Sequence, residues 1–358
     1  MKGRAAIVTS AGAGGVERFS SLLARALEGR DWQVELVSTE GAPPRWVARL
    51  GGGALQMSRW LSGAVERLDP DVVITNGELG ALYSARRPRI HVYHGTMVGH
   101  TIADVGTPMR QRARALIGDG LAEALSARGA TRVAVSEGAA REVERCFRAR
   151  VDAVIPNGVD VELFEPGDRV GARAELGLDA DARYALFVGR IEGRKGGDLL
   201  EPAARAGGFE LLVAGRDAPP SARHLGLLAP DRLALAYVAA DVVLFPTRYE
   251  GCSFVVLEAL ASGTPLVTTA VGWMPEFLRA LPDYRRLVVA PDVEDVAARL
   301  RTLDLAELDG LTSAAREWIV ANNSLDVFDR TWVELVDRVA GRAEHDPLPA
   351  SASEATAA

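Results

Sequence analysis

The sequence predicts an α/β protein with two tandem Rossmann-like domains. Short β-branched runs recur along the chain, and each is followed by a turn and then by an alanine- and leucine-rich segment with helical spacing. These units form two series, and 358 residues are more than a single hydrophobic core usually holds. Hydrophobic residues make up 48% of the chain and charged residues 25%, which is enough to form packed cores.

The first domain is predicted over residues 1–165. It opens with a strand at 5–9, a glycine-rich turn at 10–15 and a helix from about Glu17 to Glu28. Five further strands are predicted at 33–37, 71–75, 89–93, 132–135 and 152–155. Helical segments separate many of these runs, so the pattern is typical of a parallel sheet with crossover connections.

The second domain is predicted over residues 175–320, with its boundary to the first near 165–180, where the polar stretch 165–168 contains Gly and Pro. Its strands are predicted at 184–188, 210–214, 241–245, 265–269 and 286–289. A helix at about 322–341, with Trp332, Leu335 and Val339 at helical spacing, is predicted to pack back on the first domain. Residues 342–358 have no apolar periodicity and are predicted to form a disordered tail.

Composition excludes several classes of protein. The two cysteines, Cys146 and Cys252, lie far apart without a Cys/His cluster, so we expect reduced thiols and neither disulfide nor structural zinc. No apolar run is long enough to span a bilayer or to act as a signal peptide, and we expect a cytoplasmic protein. The net charge of −7 argues against general nucleic-acid binding.

The charge is unevenly divided along the chain. Residues 1–160 carry 21 Lys and Arg against 17 Asp and Glu, which leaves 20 against 31 for the remainder. Ordinary surface variation explains this difference, and an anionic acceptor or a membrane surface facing the first domain is the alternative. Arg110, Arg112 and Arg114 are the basic residues nearest an apolar pair, but their spacing spreads them around a helix and favours a solvated face.

The first turn contains Gly14 and Gly15 at the start of a helix, where backbone N–H groups can hold a phosphate or a substrate can approach closely. A tight structural turn is the alternative. The dinucleotide fingerprint fails because it requires glycine where Glu17 stands, which argues against a dehydrogenase.

A basic turn follows the first strand of the second domain. It reads Gly189-Arg190-Ile191-Glu192-Gly193-Arg194-Lys195-Gly196 and precedes a predicted helix. Arg binds a diphosphate through a planar fork and Lys binds it as a point charge, so this turn suits a diphosphate. The spacing does not match a P-loop, and a solvated basic turn is the alternative.

Two glutamates, Glu250 and Glu258, stand eight residues apart after the predicted strand 241–245. If a helix starts near Ser253, Glu250 lies in the preceding loop and Glu258 lies inside the helix, so both can line one cleft at different depths. Carboxylates accept paired hydrogen bonds from vicinal hydroxyls, as in sugars and ribose. The N–H groups of Cys252, Ser253 and Phe254 at the helix start can bind a phosphate or a hydroxyl.

These motifs together resemble the family 4 retaining glycosyltransferases of GT-B fold. The matching residues are Gly189-Arg190 with Lys195-Gly196, and Glu250-Gly251 with Glu258-Ala259-Leu260-Ala261, Gly263 and Pro265. Further matches are Val135-Ser136-Glu137, 156–160, and Val271-Gly272 with Pro275-Glu276. The resemblance covers about residues 4–340 and implies two Rossmann-like domains that face each other across a cleft.

The resemblance implies a role for each matching residue. Arg190 and Lys195 would neutralise the diphosphate as it leaves, Glu250 would hold hydroxyls of the transferred sugar, and Glu258 would hold the ribose. His94, after the predicted strand 89–93, matches the family's histidine that faces the donor sugar. The remaining donor-binding positions would be Gly14, Gly15, Gly251, Cys252, Ser253, Phe254 and Gly272.

The implied reaction is transfer from a nucleotide-diphosphate sugar to a hydroxyl acceptor with retention by a front-face route. The leaving phosphate helps to deprotonate the acceptor, and no enzyme nucleophile is assigned. No cofactor or metal is expected, because Arg190 and Lys195 supply the positive charge. The spaced aspartates Asp69-Pro70-Asp71 and Asp179-Ala180-Asp181 are interpreted as turn residues.

The sequence departs from the family pattern at three positions around the donor site, Cys252, Ser253 and Trp273. Only seven residues separate Arg216 from His224, where the family usually has another helix that helps to frame the base. UDP, GDP, ADP and dTDP therefore remain open as the nucleotide, and no motif identifies the acceptor.

The alternatives are a degenerate GT-B protein that binds a nucleotide sugar or a partner without turnover, a GT-B epimerase, and a phosphorylase. The phosphorylase would need a pyridoxal-phosphate lysine, for which Lys195 is a poor candidate.

Overall fold

The computed structural model describes residues 2–11, 14–40, 53–83, 87–104 and 108–342. Within these residues the chain forms two compact units. Unit 1 consists of the chain up to Ile102, the part from 108 to Asn157 and the part from Asp326 onward. Unit 2 consists of Gly158–Leu325 together with residues 103 and 104. The predicted tail, residues 342–358, lies outside the described residues except for Arg342.

Unit 1 contains a six-stranded parallel sheet in the order β2-β1-β3-β4-β5-β6. Its strands are β1 (Gly3–Thr9), β2 (Trp32–Ser38), β3 (Val72–Asn76), β4 (Arg89–Tyr93), β5 (Thr131–Ala134) and β6 (Ala153–Val154). Its helices include α1 (Gly15–Glu28), α2 (Gly53–Leu68), α3 (Met97–Ala103), α4 (Met109–Ser126) and α5 (Glu137–Phe147). All six strands predicted for the first domain are thus confirmed, with ends within one or two residues.

The core of unit 1 explains why these strands were visible in the sequence. In β1 all residues except Arg4 are buried, and β3 and β4 are buried along their whole length. Parallel strands covered on both faces give continuous apolar runs rather than alternation. One buried cluster joins strand and α2 residues with Leu79 of the 3₁₀ turn Gly77–Gly80, and comprises Ala6, Val8, Val37, Leu61, Val65, Val73 and Leu79.

Unit 2 contains a five-stranded parallel sheet in the order β11-β10-β7-β8-β9. Its strands are β7 (Tyr184–Val188), β8 (Glu210–Ala214), β9 (Arg223–Gly226), β10 (Val242–Phe245) and β11 (Leu266–Thr268). Its helices are α6 (Arg169–Leu176), α7 (Gly197–Gly207), α8 (Pro230–Ala239), α9 (Phe254–Ala261), α10 (Met274–Ala280), α11 (Val293–Arg301) and α12 (Asp309–Asn323). Counted within the unit, the strand order is 3-2-1-4-5, the order of a Rossmann sheet.

The predicted strand at 286–289 is wrong. Residues Pro282–Leu287 form a 3₁₀ helix, and only Val288 makes an isolated parallel bridge, to Thr268. The turn buries Tyr284 against Phe277, with ring centroids 5.1 Å apart, and the Tyr284 hydroxyl accepts a hydrogen bond from Leu266 N at 3.2 Å. Burial of this aromatic side chain therefore determines the local backbone more strongly than the short apolar run that follows it.

Strand β9 was not predicted. It lies at the edge of the sheet next to β8, and its residues Arg223 and His224 are exposed. The segment has one aliphatic residue, so it lacks the buried apolar run that marked the other strands. It begins at Arg223, at the end of the short interval after Arg216 where the family resemblance leads one to expect a further helix.

The last described helix, α13 (Leu325–Val339), packs within unit 1 through its aromatic side chains. Phe328 and Trp332 meet the ring of Phe19 in α1 edge to face, at centroid distances of 5.8 and 5.3 Å. Trp32 Nε1 donates a hydrogen bond to Asp337 Oδ1 at 2.9 Å. The aromatic side chains of α13 therefore pack against α1.

The division between the units falls at Asn157, earlier than the predicted 165–180. The intervening residues are held by α12 in unit 2. Arg316 donates hydrogen bonds to the carbonyls of Val161 at 3.1 Å and Phe164 at 2.9 Å, and Val159 N donates to Asn323 O at 2.8 Å. Because these contacts are long-range, the local composition at 165–168 does not show that residues 158–165 belong to unit 2.

Cys146 and Cys252 are both free cysteines. Across residues 2–11, 14–40, 53–83, 87–104 and 108–342, no helix has the length and apolar character needed to cross a membrane.

Candidate active site

Two loops of unit 2 meet beyond the carboxyl ends of the neighbouring strands β7 and β10. The first runs from Gly189 through a 3₁₀ turn at Gly193–Lys195 to Gly196, and the second runs from Pro246 to Ser253. Gly196 has φ +73°, and a Cβ there would lie 2.4 Å from Pro246 O. Only glycine permits both this conformation and this approach, so Gly196 brings the loops into backbone contact.

Arg194 and Arg248 lock the two loops together. Arg194 Nη1 donates a hydrogen bond to Tyr249 O at 2.9 Å, and Arg248 N donates to Arg194 O at 2.8 Å. The Arg248 guanidinium binds both carboxylate oxygens of Asp198, at 2.6 and 2.9 Å, and also bonds to Gly193 O. Each arginine therefore binds the loop opposite its own, which fixes the side chains between them.

The contacts of Arg194 and Arg248 bring Lys195 and Glu250 together. Lys195 Nζ lies 3.8 Å from Glu250 Oε1, and Arg194 Nη1 lies 3.2 Å from the same oxygen. The Lys195 ammonium also lies 5.5 Å from the centroid of the Phe245 ring. Glu250 lines a recess with Thr247, Ser253, Thr269 and Trp273, which we call the Glu250 recess. A carboxylate and a cation, both largely buried, thus share one small site.

Arg190 is not brought into contact with Glu250. Its side chain is 67% exposed, and its Nε lies 3.1 Å from Glu192 Oε1. An exposed pair of this kind contributes little free energy, so the guanidinium is held only weakly in this position. Arg194, which sequence reasoning noted in the basic turn but did not select, is the arginine that contacts Glu250. The feature of the sequence that could have identified Arg194 is its position in the basic turn, next to Lys195.

Helix α9 begins at Phe254, with Ser253 as the N-cap residue, which confirms the helix predicted to start near Ser253. Gly251, Cys252, Ser253 and Phe254 are all buried. The first N–H groups of any α-helix have no intrahelical acceptor, and they carry partial positive charge. The start of α9 therefore places a positive helix end directly after Glu250.

Gly272 supports the Glu250 loop through its backbone. It has φ +59°, and a Cβ there would lie 2.4 Å from the carbonyl oxygens of both Glu250 and Gly251. Any side chain at position 272 would displace that loop. Trp273, the next residue, is buried and stacks on Phe277 at a centroid distance of 5.6 Å while it lines the Glu250 recess.

Glu258 lies deeper than Glu250, as the spacing predicted, but its carboxylate is covered. The residue is 1% exposed, and its Oε2 accepts a hydrogen bond from the Tyr237 hydroxyl at 2.7 Å. Tyr237 in α8 is itself tied back by Thr264 Oγ1, which donates to Tyr237 O at 2.9 Å. Sequence reasoning missed Tyr237, because nothing in the local pattern relates it to a residue 21 positions later.

In unit 1, His94 follows β4 and is half-buried. Its Nε2 lies 2.8 Å from Asn76 Oδ1, and its ring meets Phe19 edge to face at 4.7 Å. Burial lowers the pKa of His94 to about 4, so the imidazole is neutral at pH 7. Asn76, the last residue of β3, was not selected from the sequence, since a single asparagine at a strand end carries no distinctive pattern.

The turn before α1 is organised by Glu17. Gly14 N donates a hydrogen bond to Glu17 Oε2 at 2.9 Å, and the Ser10 hydroxyl bonds to Glu17 Oε1. The Gly14 N–H, expected to serve a phosphate, is therefore occupied by an anionic side chain. A Cβ at Gly15 would meet nothing within 4 Å, so the local fold does not require glycine there. The helix-start pattern with glutamate at the third position was a recognisable capping signal.

The aspartates interpreted as turn residues have hydrogen-bond or ion-pair partners within the protein. Asp69 pairs with Arg87, and Asp71 Oδ2 accepts a hydrogen bond from Arg4 N at 2.8 Å. Asp179 Oδ1 accepts from Asp181 N at 2.9 Å. In the part of the chain that the structure describes, no three His, Cys, Asp or Glu side chains are grouped as they would be to hold a metal ion.

The fold has close structural counterparts. Sucrose-phosphate synthase from Thermosynechococcus elongatus superposes with a TM-score of 0.78 at 21% identity, over 95% of this chain and 100% of that one. The Anabaena protein HepE, solved in complex with UDP and glucose, superposes with a TM-score of 0.69 at 18% identity, over 94% of this chain and 100% of that one. The two parallel-sheet units are those of the GT-B fold, which confirms the predicted fold class.

The sequence comparisons identify the family. Residues 13–163 match the family described as Glycosyltransferase Family 4, and residues 182–304 match Glycosyl transferases group 1. The D-inositol 3-phosphate glycosyltransferase of Mycobacteroides abscessus is 39% identical over 191 residues, which are 47% of this chain and 42% of that protein. The chain spans at most about half the length of the curated relatives it matches first. The chain belongs to the family 4 glycosyltransferases.

Proposed function

We propose that this protein transfers a sugar from a nucleotide-diphosphate sugar to a hydroxyl group of an acceptor, with retention of the anomeric configuration and without a metal ion. The observation that carries the proposal is the meeting of Lys195 and Glu250, 3.8 Å apart, beyond the carboxyl ends of β7 and β10. Ligands of parallel α/β sheets bind beyond this edge of the sheet. Family membership supports the same class of reaction.

The diphosphate is proposed to bind at the basic turn after β7. Lys195 is held at this turn by the surrounding contacts, and Arg190 is exposed and weakly paired, so its guanidinium can turn to a phosphate when the donor binds. In the reaction the bond between the anomeric carbon and the diphosphate oxygen breaks, and a new bond to the acceptor oxygen forms. The acceptor proton passes to the leaving phosphate. Positive charge at the diphosphate stabilises the negative charge that develops as this bond breaks.

The two glutamates are proposed to bind hydroxyl groups at different depths. Glu250 lines a recess and accepts from sugar hydroxyls, while Arg194 and Lys195 compensate its charge. Glu258 is assigned to the ribose, with the Tyr237 hydroxyl orienting its carboxylate, and this assignment requires the carboxylate to become accessible, because the residue is 1% exposed here. In unit 1, His94 and the open position at Gly15 are assigned to the sugar and the acceptor.

The donor site is tested by nucleotide binding. Thermal-shift and calorimetric titrations of UDP, GDP, ADP and dTDP are made on the wild type, on an Arg190→Ala/Lys195→Ala double variant and on an Arg205→Ala control, whose arginine is exposed on α7. A nucleotide at 100 times its Kd adds about 2.7 kcal/mol of stability. Binding of one nucleotide that persists in the control and is lost in the double variant supports the proposed site.

Turnover and metal dependence are separate measurements. UDP is the first nucleotide to test because HepE was solved with it, and D-inositol 3-phosphate is the first acceptor because the curated relatives are named for it. The proposal expects activity that a chelator leaves unchanged and a product whose anomeric configuration matches the donor. Binding without turnover on any acceptor favours a degenerate glycosyltransferase, and a product of inverted configuration refutes retention.

A further inference from the structure

The amide of Asn76 has one orientation that satisfies its surroundings. It is 2% exposed at the end of β3, between β1, α1 and His94. Its Nδ2 donates to Val8 O at 2.8 Å and lies 3.4 Å from Ser20 Oγ. The opposite orientation would place the amide oxygen against the carbonyl oxygen of Val8, which cannot donate. The Asn76 oxygen therefore faces the His94 ring.

This orientation determines the tautomer of His94. Asn76 Oδ1 lies 2.8 Å from His94 Nε2 and can only accept, so the ring nitrogen must carry the proton. A neutral imidazole has one N–H, and placing it on Nε2 leaves Nδ1 with a lone pair. Phe19, whose ring centroid lies 4.7 Å from that of His94, packs edge to face and restricts rotation of the ring.

We propose that Asn76 is a positioning residue that holds His94 as the Nε2–H tautomer, so that Nδ1 accepts a hydrogen bond from a hydroxyl of the sugar donor or the acceptor. The part concerning the hydroxyl rests on the proposed function. The Asn76 amide, at the end of β3, bonds to Val8 in β1 and to His94 directly after β4. The His94 ring is therefore held by the strands of the sheet and not by a loop. Among the described residues, Asn76 is the hydrogen-bond partner of the His94 ring.

The tautomer is measured without substrate. The full chain is labelled with ¹⁵N in its five histidines, and long-range ¹H–¹⁵N spectra near pH 7 show which ring nitrogen of His94 is protonated. The His94→Gln variant assigns the signals. A proton on Nε2, visible as a slowly exchanging ring N–H because it is hydrogen-bonded, supports the proposal. A proton on Nδ1 overturns it, whatever the protein's activity is.

Variants of Asn76 test the positioning role. Asn76→Leu removes the acceptor at similar size, so the ring N–H signal should disappear and kcat should fall by about 10- to 100-fold, with a smaller change in the donor KM. Asn76→Gln keeps both the amide oxygen that accepts from His94 and the amide N–H that donates to Val8 O, so it should retain the N–H signal and a kcat nearer that of the wild type. If Asn76→Leu does not fold, the wild-type spectrum and Asn76→Gln still decide.

The matched control is Thr75→Val in the same strand. It removes the hydrogen bond between Thr75 Oγ1 and His91 Nδ1, which are 2.9 Å apart, and should leave the His94 signal and kcat unchanged. Persistence of the N–H signal in Asn76→Leu, or loss of the signal with unchanged kcat, overturns the proposal. If the wild type shows the Nε2 proton but turns over no nucleotide sugar, the proposed function fails and the tautomer assignment stands.

Discussion

Tyr237→Phe removes one oxygen atom from a hydrogen bond that is buried on both sides. Tyr237 is fully buried, Glu258 is 1% exposed, and the hydroxyl lies 2.7 Å from Glu258 Oε2. The phenylalanine ring can keep the edge-to-face contact with Phe164, whose centroid is 5.7 Å away. The variant therefore loses the hydrogen bond without losing the packing, and a buried carboxylate oxygen loses one of its donors.

The expected loss of stability follows from the kind of bond. Hydrogen bonds to charged groups contribute about 1.5–3 kcal/mol, and the desolvated acceptor cannot recover the bond from water. A loss of about 2 kcal/mol lowers the melting temperature by about 4–8 °C for a unit of this size. Because the tyrosine also orients the carboxylate assigned to the ribose, the donor KM should rise while kcat changes little.

Calorimetric melting and steady-state kinetics on the same preparation measure both effects. Tyr284→Phe is the matched control, since it makes the same chemical change at another fully buried tyrosine, whose hydroxyl accepts from Leu266 N at 3.2 Å. That variant should lose stability but keep the donor KM. A melting temperature for Tyr237→Phe within 1 °C of the wild type, or a donor KM equal to that of the control, would refute the reasoning.

Three further predictions concern charged and titratable groups. Lys195→Ala should lower kcat by about 10²- to 10³-fold, as for loss of one transition-state donor, whereas Arg205→Ala should not, in a steady-state assay with saturating donor. Asp241→Asn should lower the free energy of unfolding by about 3–5 kcal/mol in urea titrations, because the buried Arg173 guanidinium, 2.8 Å from Asp241, loses its counter-charge; a loss below 1 kcal/mol would contradict this. Because burial lowers the pKa of His94 from 6.5 to about 4, the unfolded chain binds more protons between these values, and stability should fall as the pH drops through that interval. The fall should be smaller in His94→Gln, and an equal fall in both proteins would disprove the assignment.

The strands and the helix starts were predictable because they depend on neighbouring residues. The buried runs of β1 and β7 are continuous in the sequence, and the start of α9 follows from the turn residues before it. The wrong strand at 286–289 and the missed β9 show two ways in which a local apolar pattern misleads. Residues 287–289 form an apolar run, but Tyr284 is buried against Phe277, seven residues earlier, within a 3₁₀ helix. Strand β9 pairs at the sheet edge with exposed side chains, so no apolar run marks it.

Several residues of the candidate site were predictable from the sequence, but fewer of the contacts between them were. Lys195 and Glu250 were selected from their motifs, and the structure brings them within 3.8 Å. Which arginine of the basic turn contacts Glu250 was not predictable, since Arg190 and Arg194 have the same chemistry and differ in the direction in which the turn presents them. Tyr237 and Asn76 could not be found at all, because each acts on a residue about 20 positions away.

The sequence by itself determined the α/β class, the two Rossmann-like halves, the glycines that allow tight turns and the side chains available for sugar and diphosphate chemistry. Tertiary structure decided which of those side chains meet. The sheet of unit 2 places β10 beside β7, although 53 residues separate the ends of these strands, from Val188 to Val242. This pairing brings Arg194 to Tyr249 and Lys195 to Glu250. Local hydrophobic patterns set the form of each element, but the energy of burying whole sheets sets their order, and the contacts of the site depend on that order.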